Sequence, residues 1–366
     1  MACINTILPP EILTIILEKL KFCDLLNAKA TCRSWKSLVL ALISTNNRVK
    51  MTSELYSALD VSIIIGGGKT NPKMLPAYNF QFLGPFQINI PPLPLEAYDG
   101  YAFNHKLFYT DHLELMFLNS INGDVRILRN GQWKLHSKTL ESRDDTQCVM
   151  MPKGLYMFGG RNWGDKSNSN NSAKSSEILT SGSNVWKKGP MIPGKGLILG
   201  CGLAISSKEL ILIGGMENDM GIPLSRVMKL NVDNDEWTIL PNLREVRVRA
   251  VAAYFNNKVI VSGGSRHMLG RPSKTTEIIP ISKLYSKVAN TTNPISYYGG
   301  DLHFARPYPR MGIIKINGKR TLIIFDDRKH PEIEEWDDEN EVWKISSLTL
   351  NQDRMCFAHV YKSQAF

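Results

Sequence analysis

The sequence lacks several features that would assign it to a familiar class. Only six of its 366 residues are cysteines, and no two have C-x-x-C spacing, so we expect reduced thiols rather than a disulfide framework. No apolar run approaches the ~20 residues that a membrane helix needs. The first residues carry neither a charged leader nor a cleavage site. We therefore expect a soluble protein of the cytoplasm, the nucleus or both, with no membrane partner.

Residues for catalysis or nucleic-acid binding are also scarce at the required spacing. No two of the seven histidines lie within four residues of each other, and none pairs with a cysteine at metal-ligand spacing. There is no Gly-x-Ser-x-Gly turn. The net charge of +10 arises without any run of more than two Lys or Arg, which favours an acidic protein partner over a nucleic acid. We expect no enzyme activity, no cofactor and no metal.

What the sequence does contain is a repeated pattern. The clearest copy begins at Arg143, where an alternating strand leads to Phe158 and a diglycine. A second strand follows at Glu177, and Trp186 comes nine residues later. A small antiparallel sheet of this kind has two apolar faces and needs neighbouring copies to bury both.

The same landmarks recur about every 50 residues. Six pairs of residues occupy the diglycine position, and in two of them Asp-His or Asp-Asp replaces the glycines. The six pairs are Gly66-Gly67, Asp111-His112, Gly159-Gly160, Gly214-Gly215, Gly263-Gly264 and Asp326-Asp327. In three copies an arginine lies sixteen residues earlier: Arg143, Arg247 and Arg310. Four tryptophans and three glutamates recur: Trp133, Trp186, Trp237, Trp343, Glu177, Glu277 and Glu334. We expect the tryptophans to pack between sheets and the glutamates to make buried structural hydrogen bonds.

This pattern resembles kelch repeats over roughly residues 60–366. The resemblance implies an all-β propeller of six blades, with the strand from Arg354 to Tyr361 completing the blade that begins at Val61. The diglycines would permit close backbone approach rather than bind phosphate, because no helix follows them. A copper-radical oxidase of kelch-like form would need Tyr, Cys and His ligands joined in space, and nothing in the sequence recommends it.

The first 50 residues have a different, helical pattern. Apolar residues occupy more than the three positions in seven that one buried stripe uses. Some 40 residues cannot hide that surface internally, so we expect it to face a partner. The spacing resembles an F-box over residues 6–46, although Thr31 stands where that family prefers Val. The resemblance rests on Leu8, Pro9, Ile12, Leu13, Ile16, Leu17, Leu20, Asp24, Leu25, Leu26, Cys32, Arg33, Trp35 and Leu38.

The F-box resemblance implies a small all-α module at residues 4–46, joined to the propeller at 60–366 by a linker at 47–59. Such a module docks on a Skp-type adaptor and, through it, on cullin and RING subunits. The implied adaptor contacts are Leu8, Pro9, Ile12, Ile16, Leu17, Leu20, Leu25, Leu26, Cys32 and Trp35.

An F-box followed by kelch repeats is similar to the substrate receptors of cullin–RING ubiquitin ligases. The resemblance implies a non-catalytic subunit that holds a substrate protein near the conjugating enzyme. The alternative is a non-degradative kelch scaffold, for instance one that binds actin.

Kelch substrate receptors of this kind line the mouth of the propeller with arginines. The matching loop residues are Arg161, Asn162, Arg249 and Arg266, and the matching residues at repeat starts are Arg143, Arg247, Arg310 and Arg354. A guanidinium group suits carboxylate or phosphate, so the implied ligand is an acidic or phosphorylated segment of the substrate. The alternative interpretation is that the repeat-start arginines bond to neighbouring backbone and hold the blades.

Overall fold

The computed structural model describes two helices near the start of the chain and a β-propeller. The described residues are 10–19, 33–45, 63–68, 79–83, 90, 105–110, 114–129, 131–162, 173–217, 221–268, 270–286, 293–326, 331–349 and 355–360. Within these ranges, no helix is long and apolar enough to cross a membrane.

The two helices form a small apolar pair. Helix α1 spans Pro10–Lys19, helix α2 spans Arg33–Thr45, and they contact each other. Pro10 begins α1, where its fixed φ suits the first turn and its missing N–H leaves no bond unmade. The buried residues are spaced three or four apart and so lie on one face of each helix: Leu13, Leu17, Val39 and Leu42.

Five antiparallel sheets of four strands form the blades, and the strands of each blade follow one another in sequence. Blade I contains β3 (His105–Tyr109), β4 (Leu115–Asn119), β5 (Asp124–Arg129) and β6 (Gln132–Lys138). Blade II contains β7 (Gln147–Met151), β8 (Gly154–Phe158), β9 (Ser176–Thr180) and β10 (Trp186–Lys188). Blade III contains β11 (Cys201–Ala204), β12 (Glu209–Ile213), β13 (Val227–Asn231) and β14 (Glu236–Leu240).

Blade IV contains β15 (Val251–Phe255), β16 (Lys258–Ser262), β17 (Thr276–Pro280) and β18 (Tyr297–Tyr298), with a short helix α3 (Ile281–Leu284) before β18. Blade V contains β19 (Arg310–Ile316), β20 (Lys319–Phe325), β21 (Glu332–Asp337) and β22 (Val342–Thr349). The first strand of each blade is its inner strand. Inner strands β7, β11, β15 and β19 contact one another in turn, which places them around a central channel.

The prediction of six blades is wrong, because the propeller has five four-stranded blades. The two ends of the chain instead form a three-stranded sheet from β1 (Ile63–Gly68), β2 (Asn79–Leu83) and β23 (Met355–Val360). Strand β23 pairs antiparallel with β1. No fourth strand belongs to this sheet among the described residues. The sequence from 84 to 94 contains four prolines, and each lacks the N–H that a further ladder would require.

The structure also corrects the second repeat. Asp111 and His112 lie outside the described residues, in the stretch of chain between β3 and β4. Leu118 pairs with the inner strand β3 of blade I as Phe158 pairs with the inner strand β7 of blade II. The two residues that follow Leu118, Asn119-Ser120, are therefore equivalent to the diglycine that follows Phe158. A short turn with Gly123 at φ +78° then leads directly into β5, so the chain needs no diglycine there.

Tryptophans fill the space between neighbouring blades. Trp186 is buried and its indole N–H donates to Ser137 Oγ of blade I at 3.2 Å. Trp343 is buried and donates to Thr276 Oγ1 of blade IV at 2.9 Å. The predicted packing role of these two recurring tryptophans is confirmed, and each also bonds to the preceding blade.

A buried carboxylate anchors the chain where it enters blade IV. Glu277 accepts hydrogen bonds from the backbone N–H groups of Arg244 at 2.7 Å and Glu245 at 3.3 Å. It also accepts one from Arg247 Nε at 2.9 Å. Arg247 donates in turn to the Gly263 carbonyl oxygen at 3.2 Å. The entering segment, the third strand and the first glycine of the pair are thus joined in one buried network.

Blades II and V repeat this network. In blade II, Glu177 accepts hydrogen bonds from the backbone N–H groups of Leu140 and Glu141 and from the Arg143 guanidinium. In blade V, Glu334 accepts hydrogen bonds from the backbone N–H groups of His303 and Phe304 and from the Arg306 guanidinium. Burial raises the pKa of Glu177, and the charge of Arg143 opposes that rise. The predicted buried structural bonds of the recurring glutamates are confirmed.

Arg306, rather than Arg310, fills the arginine position of blade V. Arg306 lies four residues before β19, just as Arg247 lies four residues before β15. Strands β19 and β20 have seven residues each, against five each in β15 and β16. Because the two strands together are four residues longer, the residue sixteen positions before Asp326 is Arg310 and not Arg306.

Blade III carries an apolar version of the same position. Leu197 lies four residues before β11, and Met228 is the second residue of β13, as Glu277 is of β17. Leu197 and Met228 are buried in one cluster. Well-packed apolar residues can replace a buried ion pair without loss of stability.

We expect Glu277→Met to lower the free energy of unfolding by about 3–5 kcal/mol, because it leaves the Arg247 guanidinium buried without its carboxylate. The matched control is Arg247→Leu with Glu277→Met, which copies Leu197 and Met228 of blade III. The double variant should be more stable than the single variant in chemical denaturation. If it is no more stable, the hydrogen bonds from the backbone to the Glu277 carboxylate contribute more to the free energy of unfolding than its ion pair with Arg247.

Candidate functional site

The loops that enter blades II, III and IV meet at one end of the channel, which we call the mouth. Asp145, Leu199 and Arg249 each lie two residues before an inner strand and have φ of +56°, +53° and +60°. The Leu199 N–H donates to the Asp145 carbonyl at 3.3 Å, and the Arg249 N–H donates to the Leu199 carbonyl at 2.8 Å. These bonds hold three residues in a conformation that is uncommon outside glycine.

Arg161 and Arg249 converge on Met268 at the mouth. Arg161 Nη2 lies 3.5 Å from Met268 Sδ, and Arg249 Nη1 donates to the Met268 carbonyl at 2.9 Å. The Arg249 guanidinium also stacks on the Tyr308 ring, 4.9 Å from its centroid. Asp144 exchanges two backbone hydrogen bonds with Arg161, both of 2.8 Å, which fixes the base of that side chain.

An acidic residue lies beside these two arginines. Burial raises the pKa of Asp145 to about 6, and the charge of Asp144 adds to the rise. Arg161, Arg249 and Lys106 oppose it. The mouth is therefore a polar surface that combines arginines with a carboxyl group whose pKa is raised to about 6.

The other predicted arginines lie elsewhere. Arg143 and Arg247 are buried in the blade networks and offer no surface to a ligand. Arg266 Nη2 bonds to Glu245 Oε1 at 2.9 Å, on the carboxylate that also accepts from the Tyr298 hydroxyl at 3.2 Å. Asn162 is half-buried next to Arg161, Arg310 begins β19, and Arg354 lies outside the described residues.

The predicted adaptor-binding residues divide into three groups. Ile12 and Ile16 are each 43% exposed, and Trp35 is half-buried. Leu17 is buried in the core of the helix pair. The remaining positions lie outside the described residues: Leu8, Pro9, Leu20, Leu25, Leu26 and Cys32.

Sequence reasoning missed four residues of the mouth: Asp145, Leu199, Met268 and Tyr308. Three of these share a signal, because they lie two residues before an inner strand, as Arg249 does. An alignment of the repeats on their inner strands would have found them. Met268 carries no repeated signal, because it belongs to a loop of one blade only.

Metal-ligand clusters and reactive thiols can be checked directly in the described residues. They contain no group of three or more His, Cys, Asp or Glu that could hold a metal ion. Cys148 and Cys201 are free thiols. Burial raises the pKa of Cys148 to about 11 and that of Cys201 to about 12, so neither supplies a thiolate nucleophile at neutral pH.

Asp145 predicts a pH-dependent stability. Because its folded-state pKa of about 6 exceeds the ordinary 3.8, the folded chain loses stability as pH rises from about 4 to about 6. We expect Asp145→Asn, which is neutral throughout, to be more stable than the unmutated chain above pH 6, on the order of 1–3 kcal/mol. The gap should close as pH falls to about 4. If chemical denaturation gives a difference in the free energy of unfolding between Asp145→Asn and the unmutated chain that stays constant across this pH range, the raised pKa of Asp145 is contradicted.

Comparison with known families agrees with both parts of the chain. The F-box domain family matches residues 6–46, and the kelch motif family matches residues 199–244, which contain blade III. An F-box/kelch-repeat protein of Arabidopsis thaliana is 30% identical over 99 residues, which span 26% of this chain and 27% of that protein. The chain therefore carries an F-box domain followed by kelch repeats folded as a β-propeller.

Proposed function

We propose that this chain is a substrate-recognition adaptor of an SCF-type ubiquitin ligase. The F-box domain would bind a Skp-type adaptor, and through it cullin and RING subunits, while the propeller holds the protein to be ubiquitinated. The architecture is typical of non-catalytic adaptor proteins. Its contribution to the reaction would be proximity, since tethering raises the effective concentration of substrate near the conjugating enzyme.

The exposed apolar face of the helix pair carries the first half of this proposal. With Leu13 and Leu17 buried against α2, α1 still exposes Ile12, Ile15 and Ile16, between 43% and 53% of each residue. Helix α2 adds Leu40, 44% exposed. Large apolar side chains clustered on a short helix pair are typical of a surface that a partner covers.

The mouth supports the second half. Arg161 and Arg249 come from different blades and meet at Met268, so one acidic group could contact both. Guanidinium pairs favour carboxylate or phosphate. We propose an acidic or phosphorylated segment of the substrate protein as the ligand of the mouth.

Adaptor binding can be tested with Ile12→Ser and Ile16→Ser combined. Burying an isoleucine contributes about 1.5–3 kcal/mol, so we expect at least tenfold less Skp-type adaptor and cullin to co-purify. The matched control is Ile239→Ser, since Ile239 is 64% exposed on β14 of the propeller. Equal adaptor recovery from the double variant, with its helix content intact, would contradict the assignment. If the unmutated chain recovers neither adaptor nor cullin, a non-degradative scaffold is the better description.

Substrate binding can be tested with Arg161→Gln and Arg249→Gln combined. We expect the double variant to keep the adaptor but to lose at least tenfold of the captured substrate, and the remaining capture to depend less on salt. Lys187→Gln, which removes an exposed positive charge from β10 of the same propeller, is the matched control and should capture normally. Unchanged capture and unchanged salt dependence in the double variant would exclude the mouth as the substrate site.

A further inference from the structure

The sulfur of Met268 is an exposed, oxidisable atom that contacts a cation at the mouth. Met268 is 38% exposed, and its Sδ accepts a hydrogen bond from Arg161 Nη2 at 3.5 Å. A thioether is only a weak acceptor, whereas a guanidinium is a strong donor. A change that makes this sulfur group a better acceptor will therefore bind Arg161 more strongly.

The backbone that carries this side chain is held by hydrogen bonds. Arg249 Nη1 donates to the Met268 carbonyl at 2.9 Å. The Gly270 N–H donates to the His267 carbonyl at 3.0 Å, which closes a turn with Met268 at its second position. The Ser265 hydroxyl donates to the same carbonyl of His267. A change at the sulfur therefore acts on the contacts of the side chain rather than on the position of the loop.

Exposure distinguishes Met268 from methionines in the blade cores. Met157, Met216 and Met228 are at most 1% exposed. Met191 is 67% exposed, but its sulfur forms no hydrogen bond with an arginine among the described residues. An oxidant in solution reaches exposed sulfur atoms first, so Met191 and Met268 should both react. Of these two, Met268 is the one whose product would lie beside a guanidinium.

A peroxide is the class of oxidant that the reaction needs, and hydrogen peroxide is the simplest. A lone pair of Met268 Sδ attacks one peroxide oxygen, so a sulfur–oxygen bond forms and the oxygen–oxygen bond breaks. The other oxygen leaves as hydroxide and takes the proton of the new S–OH group, which gives methionine sulfoxide and water. The sulfur loses an electron pair, and that pair reduces the peroxide. Methionine sulfoxide reductases reverse the change.

We propose that Met268 is an oxidation site that lowers the affinity of the mouth for its acidic ligand. The sulfoxide oxygen is a strong acceptor, so it forms a charge-assisted hydrogen bond with the Arg161 guanidinium. It then competes with the carboxylate or phosphate group of the ligand, at the point where Arg161 and Arg249 converge. The effect on binding rests on the proposed function of the mouth, whereas the oxidation and the new bond to Arg161 do not.

Peptide mapping by mass spectrometry tests the reactivity of Met268. The full chain is treated with hydrogen peroxide, and the oxygen gained by each methionine is followed with time. Met191 and Met268 should react at least tenfold faster than the buried Met157, Met216 and Met228. If Met268 reacts no faster than the three buried methionines, the proposal is overturned.

Thermal unfolding tests the new bond to Arg161 without any ligand. Peroxide-treated and untreated chains are compared for the unmutated protein and for Met268→Leu, and the difference between the two isolates the effect of oxidation at this sulfur. The same comparison is made with Arg161→Ala added to both. Oxidation of Met268 should affect the melting temperature more favourably when Arg161 is present, because the sulfoxide then gains a charged partner. An equal effect with and without Arg161 would exclude the bond and with it the proposal.

Binding of fluorescently labelled oligoglutamate and oligophosphoserine peptides tests the effect on the mouth. Peroxide treatment should weaken binding at least tenfold in the unmutated chain and in Met191→Leu, and methionine sulfoxide reductase should restore it. Met268→Leu should bind equally before and after treatment. Met268→Gln, whose amide oxygen is a permanent acceptor, should bind weakly without treatment. Unchanged binding in the unmutated chain after oxidation of Met268 would overturn the proposal.

Failure of the proposed function gives a different result. If the untreated chain binds neither peptide, the mouth is not a site for acidic segments, and the effect of oxidation on such a ligand is excluded with it. The peptide mapping and the comparison with Arg161→Ala do not depend on a ligand, so they still decide whether Met268 is an oxidation site that binds Arg161.

Discussion

Three buried carboxylates determine how the chain passes from one blade to the next. Each accepts two consecutive backbone N–H groups of the entering segment and a guanidinium from the same segment, as Glu277 does. A buried charge of this kind is costly unless every partner is in place, so the network permits one arrangement of the entering loop. That constraint also places the next residues, because Arg249 lies only two residues after Arg247. The buried network in the blade core thus determines the geometry of the mouth.

Blade III shows that the frame does not need the charges themselves. Leu197 and Met228 occupy the arginine and glutamate positions with apolar packing, and Leu199 still adopts the same left-handed conformation as Asp145 and Arg249. The hydrogen bonds between these three loops run through backbone atoms. Side chains at the mouth are therefore free to vary, while the backbone that presents them is held in place. A rigid frame with variable loop residues suits a protein whose task is recognition.

The helix pair differs from the propeller in how much of its apolar surface it buries. Four buried apolar residues hold α1 against α2, and as many large apolar side chains of the described residues remain exposed. So small a unit cannot cover its own apolar surface. The propeller, in contrast, buries both faces of its blades by repetition. This difference separates the two parts physically and supports the proposed division into a module that docks on a ligase and one that holds a substrate.

The sequence by itself determined the repeat length and the structural roles of Trp186 and Glu277, because each depends on periodic burial. Its resemblance to known families indicated the F-box domain and a propeller, but not the number of blades. It could not determine where the repeats begin. Longer strands in blade V moved the arginine position from Arg310 to Arg306, and a short turn in blade I moved the glycine position to Asn119. The mouth was decided by tertiary structure alone. Arg161 and Arg249 are far apart in the sequence and meet at Met268 only because the blades close around an axis.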